Sequence, residues 1–369
     1  MGAGASKPGT MRLAIDRTHG GNTQPEVLDF SVSLNPLGPP PEALAAYHDA
    51  AGLIARYPPP YPDDLAARLA RRHRVAPASV VIGNGSTHLI YLLARALRAR
   101  RPFVAIPTFS EIANAMLLAG AHPEAILADR ALDPARGAGS VAHALELGAD
   151  AVFIGRPNSP TGAMLSIAGA AEIAEQCSSR GCWCVFDEAF IDFAGEEHSM
   201  ARLAGESSHV IVLRSLTKIF AIPGLRLGYV IAARETANRL REACEPWSVN
   251  VAAERVAHAC LDVGEEFVAR SRALIAAERE FLHRALAAIT GLRVFPSVAN
   301  FLMLEAANEA SRGGFARHML SSAIAVRDLH ELPGCGPGRY RVAIRLREEN
   351  ERLVAAARQY FESQAADNK

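Results

Sequence analysis

Short apolar runs recur through the first two thirds of the chain, and each is followed by a stretch whose apolar positions have helical spacing. Runs of β-branched and aromatic residues bounded by turn residues are typical of buried strands. The runs lie at residues 80–82, 102–106, 151–154, 184–186, 210–213 and 228–231. Helical spacing is clear at residues 112–118 and 167–177. This alternation predicts an α/β fold with a largely parallel sheet covered by helices.

The pattern changes after Trp247. Long helical stretches at residues 251–287 precede three short apolar runs, and a last helix is predicted at residues 348–361. The runs lie at residues 292–295, 301–304 and 340–344. We therefore predict a large domain at residues 41–246 and a smaller C-terminal α/β domain at residues 247–369. Residues 1–40 are irregular and rich in Gly and Pro, a pattern typical of a disordered arm. The clustered glycines beside His19 and Asn22 also suit backbone packed close to a ligand, and we predict an arm that contributes to the small domain and a ligand site.

Composition excludes several classes of function. The chain has 39 acidic and 39 basic residues, so it offers neither a basic field for nucleic acid nor a polybasic membrane patch. No apolar run reaches the length of a membrane span, and the first residues do not have the pattern of a secretory signal. The six cysteines have no zinc-binding spacing and are predicted to be buried thiols. We expect a cytoplasmic protein without a metal site.

Lysine is rare in this chain. Of the 39 basic side chains only three are lysines, and Lys7 and Lys369 are close to the termini. Lys218 follows the predicted buried strand at residues 210–213, where loss of solvent favours a neutral, nucleophilic amine. Such an amine is what Schiff-base chemistry on an aldehyde cofactor requires. The alternative interpretation is a surface lysine after a strand.

Residues around Lys218 suit an anionic cofactor. Ser215 lies three residues before it and Arg226 eight after it, and a hydroxyl with a guanidinium can hold a phosphate. A glycine turn and helix start at residues 83–87 offers free backbone amides for the same purpose, although a plain capped helix has the same pattern. Asp187 ends a predicted strand and can pair with a protonated ring nitrogen, or merely cap a turn.

Together these motifs resemble those of the fold type I pyridoxal phosphate (PLP) enzymes, the aspartate aminotransferase superfamily. The resemblance implies that fold, PLP as cofactor, and catalytic roles for Lys218 and Asp187. It also implies a set of residues that bind the cofactor: Tyr57, Gly85, Ser86, Thr87, Phe109, Asn158, Ser159, Asp187, Ser215, Thr217, Lys218 and Arg226. Two positions depart from the superfamily pattern, because Ser159 replaces an asparagine and Phe190 a tyrosine. Whether Asn158 supplies the missing donor stays open.

A narrower resemblance rests on the segments at residues 18–22, 28–38, 187–193, 246–250 and 340–345. They resemble the L-threonine-O-3-phosphate decarboxylases of cobalamin biosynthesis. The resemblance implies decarboxylation of a phosphorylated amino acid at an active site to which the arm contributes. It assigns substrate binding to His19, Ser33, Arg327 and Arg341, although Ser33 stands where an asparagine is expected. It further implies a homodimer in which Tyr57 reaches the partner's site.

Two alternatives remain at this point. The related histidinol-phosphate aminotransferases share the fold, the cofactor and a phosphorylated amine substrate. A binding protein that senses PLP without turnover is a different class, which the zero net charge and the lack of a preceding DNA-binding pattern disfavour.

Overall fold

The computed structural model describes residues 13–22, 24–127, 137–307 and 313–367. Lys7, Lys369 and residues 1–12 of the predicted arm lie outside this part of the chain. Its strands are β1 (Leu28–Asp29), β2 (Val80–Gly83), β3 (Pro102–Ile106), β4 (Glu124–Leu127), β5 (Ala151–Gly155), β6 (Trp183–Asp187), β7 (Val210–Ser215), β8 (Gly228–Ala232), β9 (Leu292–Val294), β10 (Phe301–Ala306), β11 (Ile324–Ala325), β12 (Arg327–Asp328) and β13 (Arg339–Ala343).

Helices connect most of these strands. They are α1 (Pro41–Ala50), α2 (Asp63–His73), α3 (Gly85–Leu97), α4 (Glu111–Leu118), α5 (Gly137–Glu146), α6 (Ile167–Ser178), α7 (Ile191–Ala194), α8 (Ala201–Glu206), α9 (Leu216–Ile219), α10 (Arg234–Ala243), α11 (Val251–Asp262), α12 (Gly264–Ala287), α13 (Phe315–Ser321) and α14 (Arg347–Asp367). The long helices predicted at residues 251–287 are thus α11 and α12, which meet at Val263.

The larger sheet has seven strands in the order β2-β8-β7-β6-β5-β3-β4. All neighbours pair in parallel except β8, which runs antiparallel to both β2 and β7. Alternate side chains of the central strands enter different hydrophobic clusters: Val212 packs on one face and Ile211 on the other. Helices cover both faces, as the near-continuous apolar runs predict. The predicted α/β fold is confirmed.

A second sheet follows in the C-terminal third, where β12, β13, β10 and β9 pair antiparallel in that order. The arm joins this part of the molecule, because β1 pairs in parallel with β11. The sequence pattern revealed neither β1 nor the edge strand β4. The domain boundary near residue 246 remains a prediction.

Two expectations from composition can be compared with the structure. All six cysteines are buried and free of disulfides, as predicted. Across the described residues, no helix combines the length and apolar character that crossing a membrane demands.

Candidate active site

A cavity of about 590 Å³ opens where the carboxyl ends of β5, β6 and β7 meet the N-terminus of α3. Ligands bind open α/β sheets at this edge, because the strand ends and helix starts leave backbone groups and side chains free to face a cleft. Most of the predicted site residues line the cavity: His19, Ser33, Ser86, Thr87, Phe109, Ser159, Asp187, Thr217, Lys218, Arg226 and Arg341.

Lys218 lies on the single helical turn α9, directly after β7. The arm residue Asn35 stabilises this turn: its backbone amide donates to the Lys218 carbonyl (3.2 Å) and its side chain donates to the Ile219 carbonyl (2.7 Å). Burial lowers the pKa of the Lys218 ammonium to about 8, and the charges of Arg341 and Arg226 act in the same direction. The neutral, nucleophilic amine is therefore much more populated near neutral pH than it is in an ordinary exposed lysine.

Asp187 ends β6 and faces the same cavity. Burial raises the pKa of its carboxyl group to about 6, opposed by the backbone N–H of Ala189 and by Lys218. The Ala189 N–H donates to Oδ1 at 3.0 Å. Phe190 also lines the cavity, and its ring centroid lies 5.8 Å from the Lys218 Nζ. The aromatic ring therefore contributes an apolar contact where a tyrosine would offer a hydroxyl.

The start of α3 forms an anion-binding corner. Ser86 and Thr87 line the cavity at this helix terminus, and Arg226 stands beside them. The contact requires two glycines. A Cβ at Gly85 would lie 2.6 Å from the Arg226 Nη2, and a Cβ at Gly228 would lie 2.6 Å from the Ser86 backbone nitrogen. Free amides, two hydroxyls and a guanidinium thus converge on one point, which suits a phosphate.

Arg341 of β13 forms the opposite wall. Its Nη1 donates to the Ser159 Oγ (2.9 Å) and its Nη2 to the Ser31 carbonyl (2.7 Å), while its Nε is buried without a partner among the described residues. Burial lowers the pKa of this guanidinium to about 10, with Arg327 acting in the same direction. A buried cation with an unused N–H favours a carboxylate ligand.

Arm residues 16–19 close one side of the cavity over α3 and α4. The buried carboxylate of Glu111 on α4 accepts hydrogen bonds from the Tyr91 hydroxyl (2.6 Å) and from Asn114 (2.9 Å), and its Oε1 lies 3.0 Å from the His19 Nε2. Arg17 extends this cluster. Sequence reasoning missed Arg17, Tyr91 and Glu111. A signal was present for two of them, since Tyr91 is one turn after Thr87 and Glu111 is two residues after Phe109.

Other predicted site residues do not line the cavity. Asn158 directs its amide nitrogen to the Pro107 carbonyl (2.8 Å) and the Thr161 Oγ1 (3.1 Å), so in this arrangement it offers the cavity no donor. Ser215 lies behind Thr217, with 2.7 Å between their hydroxyl oxygens. Arg327 donates to the Thr18 carbonyl and so supports the arm from behind. Tyr57 is 86% exposed and contacts the ring of Trp247. Their binding roles remain predictions.

A buried charge network supports the strand that ends at Ser215. The fully buried Arg214 donates to the Asp192 Oδ1 (3.1 Å) and the Glu196 Oε2 (2.9 Å), and its Nη1 lies 3.8 Å from the Glu188 Oε2. Each carboxylate has one further partner: Arg156 for Glu188, Arg72 for Asp192 and the imidazole of His73 for Glu196. Glu188 directly follows Asp187, and Arg214 lies four residues before Lys218. The network therefore holds the ends of both β6 and β7 in place.

Comparison with known families agrees with this geometry. Residues 25–356 match the family described as aminotransferase class I and II. The chain belongs to the aminotransferase class I and II family.

Within this family, the chain is 34% identical to "Threonine-phosphate decarboxylase" of Salmonella typhimurium over 93% of its length and 96% of that protein. It is 37% identical to "Histidinol-phosphate aminotransferase" of Roseiflexus castenholzii, over 82% of this chain and 78% of that one. Among solved structures, histidinol-phosphate aminotransferase from Clostridium acetobutylicum superposes with a TM-score of 0.84 at 24% identity, covering 91% of this chain and 100% of that chain.

The cavity of this aminotransferase-family chain fits PLP in the chemistry of its donors. Lys218 would supply the amine for the aldehyde, and Asp187 would supply a buried carboxylate whose pKa is raised by burial more than Lys218 lowers it. The corner formed by α3 and Arg226 would supply the phosphate donors. The close approach at Gly85 leaves room for no larger residue there. The chemistry of these groups therefore matches what the binding of PLP requires.

Proposed function

We propose that this chain decarboxylates L-threonine O-3-phosphate to (R)-1-amino-2-propanol O-2-phosphate and CO2, with PLP as its cofactor. The observation that carries the proposal is the charge pattern of the cavity. Besides the phosphate corner at the start of α3, the cavity is lined by two further cations, Arg341 and the arm residue Arg17. A substrate with one amine and two separate anions matches this pattern. The 34% identity to the Salmonella protein, over nearly the whole of both chains, supports the same substrate.

Each residue then has a definite task. Bound PLP supplies an electron-accepting ring for the electron pair that remains when the carboxyl group leaves as CO2. Asp187 holds a proton on the ring nitrogen, and Lys218 presents an amine whose pKa of about 8 keeps far more of it neutral at moderate pH than an ordinary lysine. Arg341 orients the substrate carboxylate, and the phosphate is bound at the arm by His19. Placement decides the reaction, because the bond that stands perpendicular to the ring is the one that breaks.

Several further features belong to the same proposal. The product would supply the aminopropanol linker of cobalamin, and the enzyme would act in the cytoplasm. We further propose a homodimer in which Tyr57 reaches the partner's cofactor phosphate. The high exposure of Tyr57 and its contact with the half-exposed Trp247 support an aromatic surface that a second copy covers. Ser33 and Arg327 complete the proposed substrate contacts, Arg327 through its neighbour Thr18.

The decisive experiment measures CO2 release from L-threonine O-3-phosphate by the PLP-loaded protein without any 2-oxo acid. We expect catalytic release that Lys218→Ala abolishes. Lys7→Ala is the matched control, because it removes a lysine that has no place in the proposed site. Absence of release, together with amino transfer from histidinol phosphate to 2-oxoglutarate, would instead identify an aminotransferase. Bound PLP without turnover of either substrate would favour a binding protein that senses PLP.

A further inference from the structure

The proposed substrate carries a phosphate that needs more donors than His19 alone. A phosphate dianion in a cavity requires several charge-assisted hydrogen bonds to offset its loss of water. Arg226 is committed to the corner at α3, and Arg341 is committed to Ser31 and Ser159. Of the arginines that line the cavity, this leaves Arg17, on the arm two residues before His19.

Arg17 is oriented at one end and open at the other. Its Nη1 donates to the Tyr91 hydroxyl at 3.1 Å and to the Glu111 Oε2 at 3.4 Å. Its Nε and Nη2 make no hydrogen bond to any residue in the described part of the chain. The side chain is 58% exposed, so these two donors remain accessible from the cavity. Nε and Nη2 form one edge of the guanidinium fork, which is the geometry that binds phosphate bidentately.

Glu111 allows an anion to approach although it is itself a carboxylate. Its side chain is 5% exposed and receives hydrogen bonds from Tyr91, Asn114 and Arg17, with the His19 ring also in contact. The negative charge is therefore spread over donors that already surround it. The carboxylate holds Arg17 and His19 on the same side of the cavity, which makes it a positioning group for both.

We propose that Arg17 binds the substrate's phosphate and determines selectivity for phosphorylated substrates, with Tyr91 and Glu111 as its positioning residues. This inference rests on the proposed function for the identity of the substrate. The chemistry of the site, a phosphomonoester dianion at Arg17 and His19, is independent of the reaction that follows.

Two measurements on the PLP-loaded protein test this role. In the first, calorimetry gives the Kd of inorganic phosphate, which needs no turnover and meets a cofactor phosphate site that is already filled. In the second, steady-state kinetics give kcat and KM for L-threonine O-3-phosphate. For Arg17→Ala we expect both Kd and KM to rise about 10- to 100-fold with kcat nearly unchanged, since charge-assisted hydrogen bonds are lost. For Arg17→Lys we expect Kd and KM between the values of the wild type and of Arg17→Ala, because lysine keeps the positive charge but lacks the two parallel N–H donors of the guanidinium.

Tyr91→Phe tests the positioning role, since it removes only the hydroxyl that meets Arg17 and Glu111. We expect KM to rise several-fold in the wild-type background and not to rise further in Arg17→Ala, because residues that act through one another are not additive. Arg180→Ala is the matched control. Arg180 is an exposed arginine in the turn before β6, at the edge of the sheet away from the cavity.

The outcomes separate this inference from the proposed function. Equal phosphate affinities in the wild type and Arg17→Ala, or no phosphate binding by the wild type, would overturn the role of Arg17 whether or not CO2 is released. Weaker phosphate binding in Arg17→Ala by a protein that releases no CO2 would uphold the anion site and refute the decarboxylase. A fall in kcat with unchanged KM and Kd would also overturn the proposal, since it would indicate a merely structural arm.

Discussion

Replacing Arg214 by leucine should destabilise the protein strongly although the side chain touches no ligand. The variant removes a fully buried cation from a position among three carboxylates, each of which keeps one other partner. Removing one member of a buried ion network costs about 3–5 kcal/mol. With an unfolding entropy of about 2.1 cal/mol/K per residue, a chain of 369 residues would lose roughly 4–6 °C in Tm.

The free energy of unfolding that Arg214→Leu loses should depend on pH in a definite direction. Burial opposes ionisation of Glu196, but Arg214 and His73 prevail and hold its pKa well below its usual range. A lowered carboxyl pKa adds stability above the unfolded value of about 4.3, and that stability is lost as pH falls through the folded value. Burial raises the pKa of Glu188 even with Arg214 present, so the variant should protonate Glu188 more readily. The gap between wild type and variant is therefore widest near pH 7 and narrows as pH falls through the further raised pKa of Glu188 in the variant, whereas the contribution of Glu196 is lost only below about pH 4.3.

Urea unfolding followed by fluorescence at pH 7, 5.5 and 4 would measure this gap. Arg202→Leu is the matched control, because its side chain is 75% exposed and, among the residues that the structure describes, it pairs only with Glu206 one turn away. Such surface pairs contribute less than about 1 kcal/mol. A gap below about 1 kcal/mol at pH 7, or one that stays constant across the pH range, would refute the reasoning that buried carboxylates depend on Arg214.

Two further predictions concern the cavity itself. Gly85→Ala should weaken PLP binding by the apoprotein at least tenfold in an absorbance titration, because the new Cβ displaces Arg226. Gly120→Ala is the control: this glycine has the same φ of +83°, but a Cβ there meets no neighbour. The control should therefore cost similar backbone strain and leave PLP affinity unchanged. Equal affinities in the two variants would contradict the role of the glycine. The rate at which an arylating reagent modifies Lys218 in the apoprotein, measured by mass spectrometry, should rise with pH and reach half its maximum near pH 8. In the unfolded chain the same half-maximum should lie at the ordinary pKa of lysine, about 10.4. A native midpoint above 10 would show that burial and Arg341 do not lower the pKa.

The central sheet was predictable because its strands are buried on both faces. β3 begins and ends where the apolar run predicts, the predicted bounds of β5 and β8 differ from the structure by one residue at one end, and those of β6 differ by one residue at each end. β1 was not predictable, because two residues form a strand only through pairing with β11, far along the chain. β4 was missed at the sheet edge, where half of its residues are not buried and the apolar run is short.

The same distinction between local sequence pattern and distant contacts applies to the candidate site. Lys218, Asp187 and the start of α3 follow from strand ends and helix starts, which local sequence pattern reveals. The cluster of Arg17, Tyr91 and Glu111 depends on contacts between the arm and two helices, which no local pattern encodes. Arg327 illustrates the reverse case: the resemblance assigned it to substrate binding, which stays a prediction, and the structure shows that its side chain reaches the arm backbone instead.

The attachment of the arm has a consequence for how such a protein acquires new substrates. Arg17 and His19 line the cavity, and residues 16–19 are held by polar contacts to α3, α4 and β12; none of the four belongs to a hydrophobic core cluster. If these side chains bind the substrate's phosphate as proposed, exchange of this segment between homologues would alter the preferred anion without disturbing the folding of either sheet. The phosphate contacts would then be encoded in a stretch of the gene separate from Lys218 and Asp187, so selection would act on one while the other is retained.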